Sequence, residues 1–284
     1  MHGTSQRFVL LIAAARLAVG GSRLRALARG EDRPLLEWLA GDAAPRVAQA
    51  RAHGRRTLAQ LATFNGRIVA IGDPEYPSGL NDLRDAPPFL FVRGALARGG
   101  VAVVGSRTPP PQALSFAYEF ARRIREPIVS GLALGIDGAA HRGALAAGVP
   151  TVAYVGFGFG ATYPREHASL EENIASGGGG IATERLPGES VTRWSLVKRD
   201  RLQAAHARAL VLVASEADGG AMQALRVAQT LRRPAFTLAP PRLDSQGAGA
   251  WGGNVRALAE GAIALPFDVE EALRILHANA KHHD

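Results

Sequence analysis

Cysteine is absent from the 284 residues, and lysine is nearly so, occurring only as Lys198 and Lys281. Without cysteine the chain builds neither disulfides nor thiolate metal sites. No apolar run is long enough to span a bilayer: the nearest, FVLLIAAARLAVGG, is short and is interrupted by Arg16. The first residues also lack the basic stretch, apolar run and small-residue cleavage site of a secretory signal. A soluble, cytoplasmic protein with no membrane partner is therefore expected. No segment recurs at a period typical of repeat proteins, and the GGGG of residues 177–180 is too short to be a linker.

Catalytic signatures are missing as well. There is no Gly-x-Ser-x-Gly elbow, and no lysine follows a glycine loop in the manner of a P-loop. GFGFGA (156–161) resembles a dinucleotide fingerprint but comes after the third strand of the alternating region, and the second strand ends in Ser130-Gly131 rather than in an acid. The eight histidines include no pair at metal-ligand spacing apart from His282 and His283 at the end of the chain, and His141 is read as packing within its helix. The expectation is a non-enzyme with no catalytic residues, no metal and no cofactor.

What is present is apolar residues at 47%, charged residues at 20% and a net charge of +8 carried almost wholly by arginine. This is globular composition. The excess of positive charge favours an anionic partner, nucleic acid first, although a bias toward Arg and Ala raises the charge without any ligand.

Residues 1–65 are rich in Ala, Leu and Arg with apolar residues at helical spacing, broken by Gly and Pro. They predict a small all-helical domain of three or four helices. A connecting stretch with strand-like runs follows (68–94). From Val101 the pattern alternates. VAVVG, PIVSG, TVAYVG, GIATE, ALVLVAS and AFTLAP are continuous apolar strands separated by helical segments. Burial on both faces means a mostly parallel sheet covered by helices, so residues 66–280 predict an extended Rossmann-like, doubly wound α/β domain.

In such sheets ligands sit beyond the carboxyl ends of the strands. Gly105, Ser106 and Arg107 follow the first strand of the alternating region, Ser130 and Gly131 the second, and SEADGGAMQAL, with Gly219 and Gly220, the fifth. Small or hydroxyl-bearing turns leading into helices hold phosphates by backbone N–H groups, and Arg107 adds a bidentate donor. One such turn needs no ligand to explain it; several, with an arginine, point to an anion site. The PPP after Arg107 and Thr108 stiffens the loop and presents the guanidinium to the cleft. Lys198, Arg199 and Arg201 are read in the first turn of a helix, where cations oppose the macrodipole. Lys198 is expected to face Arg107 across one backbone segment of the ligand.

The order and spacing of VAVVGSR, IVSGLALGIDGAAHRGAL, ATYPREH, KRDR, ADGGAMQALRVA and GGNVRALAEGAIAL resemble the DprA/Smf family over residues 68–276. The resemblance implies an extended Rossmann domain that binds single-stranded DNA by its phosphates, a homodimer, and loading of the recombinase RecA onto DNA during natural transformation. It places the phosphate pocket on Gly105, Ser106, Arg107, Ser130, Gly131, Lys198, Arg199 and Arg201, with Gly219 and Gly220 on the facing loop. The helical N-terminal part is similar to the family's small SAM-like domain, and no C-terminal winged helix is expected.

The sequence departs from the family pattern at Leu134 (usually Arg), Asp200 (usually Asn), Gln223 in a loop that has lost its hydroxyls, and His167 (usually Asn). Each removes a hydrogen bond to an anion or adds repulsion. A nucleotide sensor or nucleotide-processing enzyme of the same superfamily is the alternative, against which stands the lack of a PGGxGTxxE signature. Phe159, Tyr163 and Trp194 are candidate base-stacking side chains, most of them more at home in a core. The stretch 262–276, read as one terminal helix, is apolar enough for a dimer contact.

Overall fold

The computed structural model describes residues 2–41, 45–241 and 248–280. Four helices come first: α1 (His2–Arg16), α2 (Gly21–Ala28), α3 (Arg33–Ala40) and α4 (Pro45–Thr63). Local chemistry sets several of their boundaries. Asp32 caps α3 by accepting from the Leu35 N–H at 3.1 Å, with Pro34 inside the first turn.

A nine-stranded sheet follows. Its strands are β1 (Gly66–Ala70), β2 (Phe89–Gly94), β3 (Val101–Val104), β4 (Ile128–Ser130), β5 (Thr151–Tyr154), β6 (Gly180–Thr183), β7 (Ala209–Leu212), β8 (Ala235–Leu238) and β9 (Ile263–Leu265). The helices between or after them are α5 (Pro111–Arg123), α6 (Ile136–Ala146), α7 (Ala168–Ser176), α8 (Arg193–His206), α9 (Ala221–Thr230), α10 (Ala248–Ala259) and α11 (Val269–Asn279). Strand order is β1-β2-β6-β5-β4-β3-β7-β8-β9. The strands from β3 to β9 run parallel to one another, whereas β2 pairs antiparallel with both β1 and β6. From β3 the chain builds outward to β6, then α8 carries it back so that β7 lies on the other side of β3. That reversal opens a crevice at the carboxyl ends of β3 and β7.

The continuous apolar strands are buried on both faces. Ala102 and Val104 face one core together with Leu210, Leu212 and, from the N-terminal helices, Leu10, Leu27 and Leu39. Val101 and Val103 face a second core with Phe116 and Phe120 of α5. The first four helices thus pack on the same apolar layer as the sheet. No helix among the described residues is long and apolar enough to cross a membrane.

Residues 262–276 are not one helix. They form β9, stopped by Pro266, and then α11, capped by Asp268 accepting from the Glu271 N–H at 2.8 Å. Leu265, Ala272, Leu273 and Leu276 are buried in the protein's own second core, so the apolar excess of this stretch is largely used internally.

Candidate functional site

A cleft of ≈ 690 Å³ lies where the strand order reverses. Its floor begins at Gly105, where a Cβ would meet the Ile136 side chain at 2.6 Å and the Ala214 carbonyl at 2.8 Å. Only glycine lets the chain turn there. Ser106 N–H donates to Ala214 O at 2.7 Å, and Ser106 Oγ accepts from the Thr108 N–H at 3.1 Å. The serine hydroxyl therefore shapes its own loop, which leaves Arg107 exposed at the cleft wall. Pro111 opens α5 at a position where a missing N–H costs nothing.

Ser130 is fully buried and donates to the Val103 carbonyl at 2.6 Å, tying β4 to β3. At Gly131 a Cβ would lie 1.2 Å from Arg199 Nη1, so the guanidinium occupies the space a side chain would fill. Arg199 is enclosed: its Nη1 lies 3.8 Å from Asp137 Oδ2 and its Nε 3.3 Å from Asp200 Oδ1. Neither nitrogen has a hydrogen bond among the described residues, although both are buried. Burial pushes the Asp137 carboxyl up, with Arg199 opposing. Burial likewise pushes Asp200 up to about 6, helped by Asp137 and opposed by Arg199 and Arg107. Gln203 Nε2 donates to Asp200 at 3.1 Å.

On the facing wall, Ser215 to Ala221 lead from β7 into α9. Gly219 would place a Cβ 2.4 Å from Ser215 Oγ, and Gly220 caps α9 with open space beside it. Buried Asn254 fixes this loop by accepting from the Ser215 N–H at 3.0 Å and donating to the Val213 carbonyl at 2.9 Å. Glu216 and Asp218 add two carboxylates to the lining.

Gly105, Ser106, Arg107, Arg199, Gly219 and Gly220 thus meet around one cleft, with Gly131 against the Arg199 guanidinium and Ser130 buried at the end of β4. Lys198 and Arg201 do not line it. Lys198 Nζ is 3.3 Å from Glu184 and sits 5.4 Å from the Trp194 ring centroid. Arg201 is held by Asp85 at 2.8 Å and by Glu184 at 3.0 Å. The three cations are also not in a first helical turn. A reciprocal cap between Thr192 and Ser195 starts α8 at Arg193, so Lys198, Arg199 and Arg201 lie in its second and third turns and the macrodipole argument does not apply to them. The cation in the first turn is Arg193, which lines the cleft and was missed. The Thr-x-x-Ser spacing of residues 192–195 was the signal that could have found it.

Phe159 is fully buried and is core, whereas Tyr163 is 39% and Trp194 68% exposed, and Leu134 joins them as an exposed apolar residue. His167 Nδ1 donates to the Leu132 carbonyl at 2.9 Å, and the ring packs on Gly138, bracing the start of α6. His141 packs against Thr151 at 2.7 Å, and burial holds its pKa down at about 3. No metal-ligating cluster occurs among the described residues.

Sheet order, crevice and arginines together define a Rossmann-like α/β protein whose strand-to-helix loops face a cationic and carboxylate-bearing cleft. More narrowly, the chain belongs to the DNA recombination-mediator protein A family, whose profile matches residues 67–276. It is 38% identical over 208 residues to a putative DNA processing protein DprA of Mycobacterium tuberculosis, covering 66% of this chain and 53% of that one. It is 30% identical over 184 residues to protein Smf of Synechocystis, covering 61% and 46%. The chain spans about half the length of these curated relatives. Its fold is that of DNA processing protein A from Streptococcus pneumoniae, with a TM-score of 0.74 at 24% identity over 98% of this chain and 94% of that one. The same protein from Helicobacter pylori, whose structure was described for its single-stranded DNA binding mode, aligns with a TM-score of 0.66 at 24% identity, covering 76% and 98%.

Proposed function

We propose that the protein binds single-stranded DNA in this cleft through the backbone phosphates, protects it, and delivers it to the recombinase RecA in recombination and natural transformation. It acts by binding rather than by catalysis, in the cytoplasm and as a homodimer. The observation that carries the reading is Arg199, a buried guanidinium with two unspent donors in the cleft wall. A buried unsatisfied donor is costly, and a phosphate oxygen is the acceptor that relieves it. Arg107 and Arg193 extend the same donor set to the mouth of the cleft. Gly131 then serves by making room for Arg199, Ser130 by tying β4 to β3 at the cleft, and Lys198 and Arg201 by bracing α8 against Glu184.

Fluorescence anisotropy with labelled oligothymidine tests this. Binding should weaken steeply with salt as counterions are released, and should show little sequence preference. Equal affinity at low and high salt overturns a phosphate-dominated mode. Sedimentation at micromolar concentration tests the dimer, and RecA filament formation on pre-coated DNA tests delivery. Four carboxylates in the lining (Asp137, Asp200, Glu216 and Asp218) favour a second reading, a mononucleotide whose base and ribose donate hydrogen bonds. A melting-temperature shift with a mononucleotide, and none with oligothymidine, selects it.

A further inference from the structure

The positive charge of the chain is unevenly placed. Residues 1–65 hold ten arginines and no lysine against four carboxylates, whereas the rest holds 23 bases against 21 acids. Six of the eight net charges therefore belong to the helical N-terminal part, away from the cleft floor. Between the end of α1 and one face of α4 lies a concavity of ≈ 440 Å³. It is lined by Arg16 from α1 and by Arg46, Gln49, His53 and Arg56 from α4, with Leu17 and Ala50 beneath and no carboxylate among the described residues. The α4 residues recur at i, i+3, i+7 and i+10, so they share one face.

Arg16 and Arg56 are exposed and make no ion pair among the described residues. His53 Nε2 is buried in the same place with no hydrogen-bond partner among the described residues. Burial and the charges of Arg16 and Arg56 depress the His53 pKa, with Glu189 opposing from the β6–α8 segment. That carboxylate is itself taken by Arg185 at 3.0 Å. Uncompensated like charges around a concavity store repulsion that an anion releases.

The same segment runs from α4 to the cleft. At Gly188 a Cβ would meet Gln60 Nε2 of α4 at 3.2 Å, and a few residues on, Val191, Thr192 and Arg193 line the cleft. We propose that the arginine pocket between α1 and α4 is a second phosphate-binding site that takes the backbone of the same single strand after it leaves the cleft past Arg193. This rests on the cleft being the first site.

The test compares oligothymidines of about 6 and about 30 nucleotides, lengths that fill one site or more than one. It uses the protein, the variant Arg16→Gln/Arg56→Gln, and a control, Arg33→Gln/Arg55→Gln, which removes two exposed charges outside the pocket. The short strand should bind the protein and both variants alike. The long strand should bind the pocket variant roughly tenfold more weakly, with a salt slope lower by about 1.4, two phosphates at about 0.7 ion each. Unchanged long-strand affinity, as expected if an acidic protein occupies the pocket, overturns the proposal; so does an equal loss in the control. If the short strand fails to bind but the long strand binds and weakens in the pocket variant, the pocket stands and the cleft reading falls. If neither length binds the unsubstituted protein, both fall.

Discussion

Replacing Asp200 by Asn removes a negative charge from the cleft wall while nearly preserving its shape. The Asp200 carboxyl is pushed from an ordinary 3.8 to about 6, chiefly by burial. Holding it ionised at neutral pH therefore costs the folded protein about 3 kcal/mol. Because the folded value lies above the unfolded one, the favourable contribution is complete below the unfolded pKa. It is lost as pH rises from about 4 to about 6. At pH 7.5 the Asp200→Asn variant should thus be more stable by up to about 3 kcal/mol, raising Tm by up to about 5 °C, and near pH 4 the two proteins should melt together.

The effect on binding has the same sign. A carboxylate about 6 Å from a bound phosphate, at an effective dielectric constant of about 20–40, repels it by about 1.4–2.8 kcal/mol. The variant should therefore bind oligothymidine ten- to a hundredfold more tightly at pH 7.5, in anisotropy titrations at fixed salt. The unsubstituted protein should gain affinity as pH falls from 7.5 to 5.5, and the variant much less. Weaker binding by Asp200→Asn refutes the argument, because Asp200 is then needed to orient Arg199. An undiminished pH dependence in the variant refutes it too.

Arg107→Ala should weaken oligothymidine about equally for all sequences and lower the salt slope by about 0.7 ion. Lys198→Ala should change it less, since that ammonium is engaged with Glu184 and Trp194 outside the cleft; an equal effect in titrations would put Lys198 on the ligand. Gly135→Ala forces a side chain at φ +74° to within 2.4 Å of the Ser106 carbonyl and 2.7 Å of the Arg107 carbonyl. It should cost at least about 2 kcal/mol in urea unfolding; an unchanged midpoint would show that the loop gives way freely. Trp194→Ala, at a 68% exposed ring, should leave Tm nearly unaltered and reduce single-strand affinity by about 1–3 kcal/mol if bases stack there. Unchanged affinity removes Trp194 from the interface.

Several features were legible in the residues alone because short-range chemistry determines them. Continuous apolar strands such as VAVV and ALVL announced a sheet buried on both faces, and Gly105 announced a turn that admits no side chain, with Gly219 and Gly220 marking the loop that faces it. Together with the DprA/Smf-like motifs, they pointed to the loops beyond the strand ends. The outer strands were less legible. β1 and β2 were visible only as strand-like runs, and β9 was merged with α11, because an edge strand is defined by the neighbour it pairs with and not by its own pattern. Which cations face the cleft was a tertiary decision. KRDR offers Lys198, Arg199 and Arg201 side by side, yet α8 points them in different directions. Arg199 lies over Gly131 toward the cleft, while Arg201 and Lys198 turn to Glu184 on the strip after β6. A helix rotates successive side chains by about 100°, so their destinations depend on which elements pack around α8. The concentration of arginine near the N-terminus can be counted in the sequence. Its gathering into one pocket follows only from packing α1 against α4.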